Sequence, residues 1–128
     1  TRPDADADPA EGLTSFHPAP GGTVFMTMTV PPDEVYLAPD FDFEKAGAEA
    51  FANSPGIAER MEPENPGFHM TDTIDYVIVL DGEITLRADQ NEAVLTTGDI
   101  VIQNGTHHAW ANRSGKSATL AIILVGIT

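Results

Sequence analysis

The chain has 128 residues, of which 20 are acidic and 6 are basic, so its formal net charge at pH 7 is −14. Nucleic acids and anionic lipid surfaces are bound by clusters of Lys and Arg, so this charge argues against a nucleic-acid partner and against a membrane surface. The absence of cysteine excludes disulfides, thiolate zinc sites and cysteine nucleophiles, and the length suits one domain with its own hydrophobic core.

The first 20 residues are rich in Asp, Ala and Pro and have little hydrophobic periodicity. This composition predicts an N-terminal arm over residues 1–20, ordered where it lies on the rest of the protein, and a domain over residues 21–128. His17 of the arm is expected to be a surface or satisfied histidine, not a ligand. No signal peptide is visible and no apolar run approaches the ~18 residues of a membrane span, so we expect a cytoplasmic protein.

A strand and then a helix are predicted for the first half of the domain. Residues 23–30 read as a β-strand that ends at two prolines, which cannot donate to a sheet. Residues 40–61 contain the helical candidate, with Asp42 as its N-cap, a break at residues 53–56 and one further turn after it. Three large side chains of the first strand are expected in the core: Phe25, Met26 and Met28.

From residue 68 onward the sequence predicts strands throughout. Turn-forming Asp-Gly, Thr-Gly, Asn-Gly and Ser-Gly-Lys sequences separate these strands. Closely spaced strands joined by tight turns are typical of an antiparallel sandwich or barrel. The predicted strands cover residues 73–80, 83–88, 93–96, 99–103, 108–112 and 118–127.

Three of the four histidines lie in two short segments of this β region. Side chains alternate along a strand, so four polar residues of the first segment share one face: His69, Thr71, Thr73 and Asp75. In the second segment, alternation puts His108 and Trp110 on one face and His107 on the other. A polar strand face is either exposed to solvent or lines a pocket, and periodicity leaves both interpretations open.

These two segments resemble the two motifs of the cupin superfamily. In the first motif, His69 fits the first His, Asp75 falls at the spacing of the Glu, and Gly82 fits the closing Gly. In the second, Gly-Asp at residues 98–99 fits the opening and residues 108–112 fit the closing His-x-x-x-Asn. The resemblance, strongest to small single-domain "cupin 2" proteins of unassigned reaction, implies an all-β double-stranded β-helix. We expect this jelly-roll barrel to carry the N-terminal arm and a short helical insertion.

Three positions depart from the cupin pattern. Thr71 replaces the second His, Asp75 replaces the Glu, and Gln103 stands where the pattern has Pro. The resemblance then implies a metal set of His69, Asp75 and His108, which suits Fe, Mn or Zn with open positions. The alternative is a metal-free pocket, in which His108 acts as acid or base and Asp75 orients or polarises it. His108 and Asp75 are accordingly the expected catalytic residues.

The sequence leaves two functions open. The first is a metal-dependent enzyme acting on a small organic molecule in the barrel, by dioxygenation, decarboxylation, isomerisation or dehydration. The second is a non-catalytic module that binds a small ligand without metal. The family resemblance also implies a homodimer, across which the N-terminal arm could swap. Four residues are expected to line the substrate pocket: Thr71, Thr73, Trp110 and Met26.

Overall fold

The computed structural model describes Arg2 and residues 4–127, and the strands in this part form two antiparallel sheets. The first sheet has the strand order β1-β7-β2-β5 and the second has the order β4-β3-β6. Every predicted strand is confirmed with ends within one residue of the expected ones. The strands are β1 (Thr23–Val30), β2 (Thr73–Asp81), β3 (Glu83–Ala88), β4 (Glu92–Thr96), β5 (Ile100–Asn104), β6 (His108–Ala111) and β7 (Ala118–Gly126).

The hydrophobic core lies between the inner faces of the two sheets. Met26 and Met28 pack against it, as expected from the sequence. Phe25 does not: its side chain is 70% exposed, because alternation along β1 turns it to the outer face of the sheet. The buried core residues are Val77, Val79, Ile84, Ala118, Leu120, Ile122 and Leu124.

The tight turn between β2 and β3 requires the glycine of the first motif. Gly82 has a φ of 91°, a backbone conformation that residues other than glycine rarely adopt. A Cβ at this position would also lie 3.0 Å from the carbonyl oxygen of Ser117. Gly82 therefore serves the fold and not the chemistry.

The helical insertion between β1 and β2 follows the predicted order. α2 (Phe43–Asn53) begins where expected, since the Asp42 carboxylate accepts a 2.9 Å hydrogen bond from the backbone N–H of Lys45. A 3₁₀ turn (Ala58–Arg60) supplies the further turn. α1 (Glu34–Leu37) was not predicted, because four residues are too few for a periodic pattern. Among the described residues, no helix combines the length and apolar character needed to cross a membrane.

Asn112, the last residue of the second motif, ties three segments together. Its Nδ2 donates to the carbonyl oxygens of Val30 at 3.0 Å and Lys116 at 2.7 Å. Its Oδ1 accepts from the backbone N–H of Ser114 at 3.1 Å, and its own backbone N–H donates to the Asp33 carboxylate at 2.8 Å. The side chain is fully buried, so Asn112 holds the end of β1 to the turn between β6 and β7.

Hydrogen bonds hold the end of the N-terminal arm to the helical insertion and to the segment before β2. Phe16 N–H donates to the carbonyl of Pro55 in the insertion at 2.7 Å, and just after the arm Gly21 N–H donates to the carbonyl of Gly126 on β7 at 2.9 Å. The backbone N–H of Asp72 donates to His17 Nε2 at 3.2 Å. His17 is thus half-buried and satisfied, as expected.

Candidate functional site

The polar face of β2 lines the inside of the barrel. Thr73 is 0% exposed and Asp75 is 6% exposed, and the same face continues into the buried Val77 and Val79. Burial thus excludes the solvent-exposed interpretation of this strand face. One end of the barrel interior is polar, and the remainder is the hydrophobic core.

His69 and His108 meet at this polar end. His69 N–H donates to the carbonyl of His108 at 3.0 Å, and His108 N–H donates to the carbonyl of His69 at 3.1 Å. Their ring centroids are 4.3 Å apart in an edge-to-face arrangement. His108 is buried, whereas His69 is half-buried, so His69 is the histidine through which this pair reaches solvent.

Both imidazoles are oriented by the backbone. His108 Nδ1 lies 2.6 Å from the carbonyl oxygen of Thr106, and His69 Nδ1 lies 3.1 Å from the carbonyl oxygen of Gly67. A carbonyl oxygen only accepts, so each Nδ1 carries the hydrogen and donates it. The Nε2 atom of each neutral ring is therefore the one with a free lone pair.

Burial shifts the pKa values of His108 and Asp75 in opposite directions. It lowers the pKa of His108 to about 4, with a further lowering from the charges of His69 and His107 against a raising effect of the Thr106 carbonyl. Burial also raises the pKa of Asp75, although the Thr73 hydroxyl and the charges of His69 and His17 act the other way. Both shifts favour the uncharged side chain.

A chain of hydroxyl groups stabilises the Asp75 carboxylate. Thr73 Oγ1 donates to Asp75 Oδ1, and Thr71 Oγ1 lies 2.7 Å from Thr73 Oγ1. A hydroxyl has one hydrogen, so Thr71 must donate to Thr73 when Thr73 donates to Asp75. Thr71, at the position of the missing histidine, is thereby part of the support of the carboxylate.

Trp110 and Met26 lie on the border between the polar end and the core. The Trp110 ring is 6.0 Å from the His108 ring, edge-to-face, and packs on the core cluster. Met26 pairs with Ile122, which in turn pairs with Val77. Met26 therefore lies in an apolar row across the sheet that is adjacent to the row containing Asp75 and Leu124.

The described residues contain no group of three or more His, Cys, Asp or Glu side chains arranged to hold a metal ion. The structure brings His69 and His108 together, whereas Asp75 is engaged by Thr73. His107 lies on the other side of its strand, as alternation predicted. There it bonds to Asp89 and to Glu62, the latter at 2.7 Å, and stacks on Phe68.

One buried polar residue of this interior was not anticipated as a site residue. Gln103 lies opposite Asp75 in the pairing of β2 with β5 and is 5% exposed. Neither its Oε1 nor its Nε2 has a hydrogen-bond partner. The signal in the sequence was its departure from the proline of the cupin pattern, but only the register places it beside Asp75.

Comparisons with known proteins agree with this architecture. The matching family model is the cupin domain, over residues 59–125. A phomopsin biosynthesis cluster protein C′ of Diaporthe leptostromiformis is 53% identical over 64 residues, covering 46% of this chain and 34% of that protein. A cupin-domain-containing oxidoreductase of Neurospora crassa is 31% identical over 100 residues, covering 73% of this chain and 50% of that protein. The chain thus spans between about a third and a half of the length of these relatives.

Among solved structures, a predicted oxalate decarboxylase from Thermotoga maritima superposes with a TM-score of 0.50. Its sequence identity is 13%, and the match covers 81% of this chain and 66% of that one. At this identity the likeness concerns the fold alone. With the family model matching residues 59–125 of 128, the chain belongs to the cupin family and has its double-stranded β-helix fold.

Proposed function

We propose that this cupin is an enzyme that acts on a small organic molecule at the polar end of its barrel, with His69, His108 and Asp75 as its reactive groups. The observation that carries the proposal is the orientation of the two imidazoles. Each is fixed through Nδ1 to a backbone carbonyl, and each keeps Nε2 free. Packing alone does not explain two histidines fixed in this way, because an aliphatic side chain would fill the same space without the free-energy cost of burying a polar ring.

A divalent first-row metal, Fe, Mn or Zn, is the proposed cofactor. Neutral imidazole nitrogens suit these ions, and histidine ligands commonly donate their other ring N–H to a carbonyl, as His69 and His108 do. The two Nε2 atoms would hold such an ion, and Asp75, which the structure does not group with them, would have to turn the carboxylate oxygen that Thr73 does not bond toward the ion to serve as a third ligand. When bound, the metal would serve as a Lewis acid toward an oxygen atom of the substrate.

The pKa shifts assign different tasks to the two buried groups. A His108 whose pKa is about 4 is neutral at pH 7, but it is a weak base. This favours ligation or hydrogen-bond acceptance by its Nε2 over proton abstraction by His108 alone. In the metal-free site Asp75, whose pKa is raised by burial, would serve as the proton acceptor, and the Thr71–Thr73 hydroxyl chain stabilises its charged form.

The relatives bear on the substrate class. One is named for a biosynthesis cluster and another as an oxidoreductase. They support a biosynthetic intermediate as the substrate and favour oxidation among the reactions left open above. Decarboxylation, isomerisation and dehydration are the alternatives that product analysis would separate.

Metal content and turnover test this proposal together. The protein is purified, analysed for Fe, Mn and Zn, stripped with a chelator and titrated with each ion by calorimetry. We expect about one ion per chain and a loss of ligand binding or turnover on stripping. A protein that neither retains nor rebinds any of these ions would overturn the proposed cofactor.

A second candidate is a non-catalytic module that holds a small ligand without metal. It is favoured by the absence, among the described residues, of three side chains placed to share an ion. Mass spectrometry of ligands that copurify with the protein separates the two functions. A ligand recovered unchanged after incubation supports the binding module, and its conversion supports the enzyme.

The partner we propose is a second copy of the chain, bound through an outer apolar face on the first sheet. Phe25, Ile123, Tyr76 and Ile102 form one row across all four strands, and the adjacent row contains Ala121, Ile78 and Ile100. Phe25 is 70% exposed, Ile100 66% and Ile102 59%.

Charge and size favour a copy of the chain as the occupant of this face. The two rows contain no charged residue, although the chain carries a net charge of −14, and the charge on the outer face of these strands is Asp81, which pairs with Thr119 one row further along. Two such acidic molecules can approach closely only where they are uncharged. Four strands about 4.8 Å apart and about 25 Å long give a face of roughly 500 Å² on each copy, or roughly 1,000 Å² in total, which is the lower end of the range for a biological interface. The proposal also divides the chain into an arm, residues 1–20, and a barrel, residues 21–128. In the proposed dimer the arm could cross to the partner.

A further inference from the structure

Gln103 combines deep burial with a complete lack of hydrogen-bond partners. The side chain is 5% exposed, and both its amide oxygen and its amide nitrogen lack a partner. Buried amides are normally satisfied, because an unpaired donor or acceptor loses its hydration without compensation. An apolar residue here would stabilise the barrel more, so the amide has a purpose other than folding.

The register places this amide in the proposed site. Gln103 on β5 pairs with Asp75 on β2, and Asp75 pairs on its other side with Leu124. Directly paired residues project from the same face of a sheet with Cβ atoms about 5 Å apart. Gln103 therefore borders the polar end of the barrel from the side opposite Leu124. The Asp75 oxygen bonded by Thr73 is already engaged, and Gln103 is not bonded to Asp75.

From this geometry we infer that Gln103 is a specificity-determining residue that recognises an uncharged amide-like group of the substrate, one with a hydrogen-bond donor and an acceptor side by side. A carboxamide offers one acceptor oxygen and a donor N–H₂ in a single plane. A lactam, a secondary amide or a primary amide presents the matching pair, so that Gln103 Oε1 accepts and Nε2 donates.

The charges around the site disfavour a carboxylate in the same place. The inward positions of the seven described strands include no Lys or Arg, and Asp75 lies beside Gln103. In the metal-free protein, an anionic group would meet one acidic side chain and no Lys or Arg there. An uncharged group with both a donor and an acceptor satisfies the amide without that repulsion.

This inference rests on the proposed function only in placing the ligand inside the barrel.

The probe for recognition of an amide group is 2-pyrrolidinone, whose N–H and C=O lie on the same side of its ring. The matched probes are N-methyl-2-pyrrolidinone, which lacks the donor, and propionate, which is an anion. Binding is followed by NMR through the backbone N–H signals of β2 and β5, which every variant retains, and through the side-chain N–H₂ signals of Gln103, which are assigned by their loss in Gln103→Met. The matched control variant is Gln90→Met, since Gln90 is exposed in the turn between β3 and β4.

We expect 2-pyrrolidinone to shift the Gln103 signals and to bind about tenfold more weakly to Gln103→Met, the loss expected for two neutral hydrogen bonds. Gln90→Met should bind it like the parent protein, and both matched probes should bind more weakly than 2-pyrrolidinone. Gln103→Met should also unfold at a higher denaturant concentration, because the unpaired amide is gone.

Unshifted Gln103 signals, equal binding by Gln103→Met or, in chelator-stripped protein, equal binding of propionate would overturn the inference. So would a lower unfolding midpoint in Gln103→Met, since it would show that the amide has a structural partner. The same titration of chelator-stripped protein separates this inference from the proposed function. If the stripped protein binds 2-pyrrolidinone through Gln103 but shows no metal binding and no turnover, the inference stands and the proposed enzyme is wrong. If turnover is present and Gln103→Met does not change it, the inference is wrong and the proposed enzyme stands.

Discussion

His69 and His108 form a reciprocal pair of backbone hydrogen bonds, 3.0 and 3.1 Å long, which join the segment before β2 to the start of β6. Residues paired directly in an antiparallel bridge project to the same side. The bridge therefore brings the two imidazoles, distant in sequence, to a ring separation of 4.3 Å. The candidate site therefore lies where β6 of the second sheet meets the segment that leads into β2 of the first sheet.

Removal of either histidine of the pair should abolish metal binding. His69→Ala and His108→Ala each delete a neutral imidazole whose Nε2 is free. Loss of an outer partner of a metal ligand already weakens binding by about 10- to 100-fold, so we expect at least that loss here. Calorimetric titration with Zn²⁺ measures it. The control is His107→Gln, which changes the neighbouring histidine outside the barrel; equal losses in all three variants would contradict the assignment.

The metal-free protein should lose stability as the pH falls from about 6.5 toward 4. The pKa of His108 is lowered to about 4 in the folded state, so acid protonates the unfolded chain first and favours unfolding. A shift of this size corresponds to as much as about 3 kcal/mol. The raised pKa of Asp75 acts in the opposite sense, since the folded protein takes up that proton more readily.

Denaturant unfolding at pH 7.5 and pH 4.5 measures this loss. A His108→Gln variant has no such proton to bind and should show a smaller difference between the two pH values. The control is His17→Gln, which alters a half-buried histidine of the arm. Identical pH dependence in the parent protein and in His108→Gln would rule out the buried neutral imidazole.

Thr73→Val should raise the pKa of Asp75 further. The substitution keeps the shape of the side chain and removes the hydroxyl that donates to the carboxylate, a contact that lowers this pKa. The carboxyl carbon signal of Asp75, followed by NMR as a function of pH, reports the change directly. Thr85→Val is the matched control, because Thr85 is also buried on a strand but belongs to the other sheet. A lower pKa in Thr73→Val would disprove the hydrogen-bond chain.

Asn112→Ala should destabilise the fold by about 3 kcal/mol, the cost of breaking a buried network of several hydrogen bonds. The substitution leaves the carbonyls of Val30 and Lys116 without their donor. Chemical denaturation measures the free energy of unfolding. Asn104→Ala is the comparison, since Asn104 is exposed and should change stability by less than about 0.5 kcal/mol. Similar effects at both positions would refute a special structural role for Asn112.

Ile102→Lys should convert the proposed dimer to a monomer. The substitution places a charge within the outer apolar face, on its edge strand β5 and next to Tyr76 in the register. Light scattering coupled to size-exclusion chromatography gives the mass directly. Leu37→Lys is the control, because Leu37 is 80% exposed on α1, away from this face. A parent protein that is monomeric at high concentration would exclude the dimer.

Local sequence signals predicted the secondary structure closely. Turn-forming Gly pairs bounded the strands, and Asp42 marked the start of α2, because these effects act within a few residues. The expectation for Phe25 is wrong because it weighs the apolar side chain above its position, since alternation places Phe25 on the same face of β1 as three threonines. On β2 alternation separates the two faces without saying which is buried, and there the face that begins with polar residues turns inward.

The sequence by itself determined that the chain is a cupin barrel, since the two motifs and the strand spacing are written along the chain. It also separated His108 from His107, because alternation is a local property. Only the tertiary structure decided that His69 approaches His108, that Thr73 donates to Asp75, and that Gln103 lies beside Asp75 without a partner. These facts depend on register between strands far apart in sequence and on the burial of one sheet face against another, which no local pattern encodes.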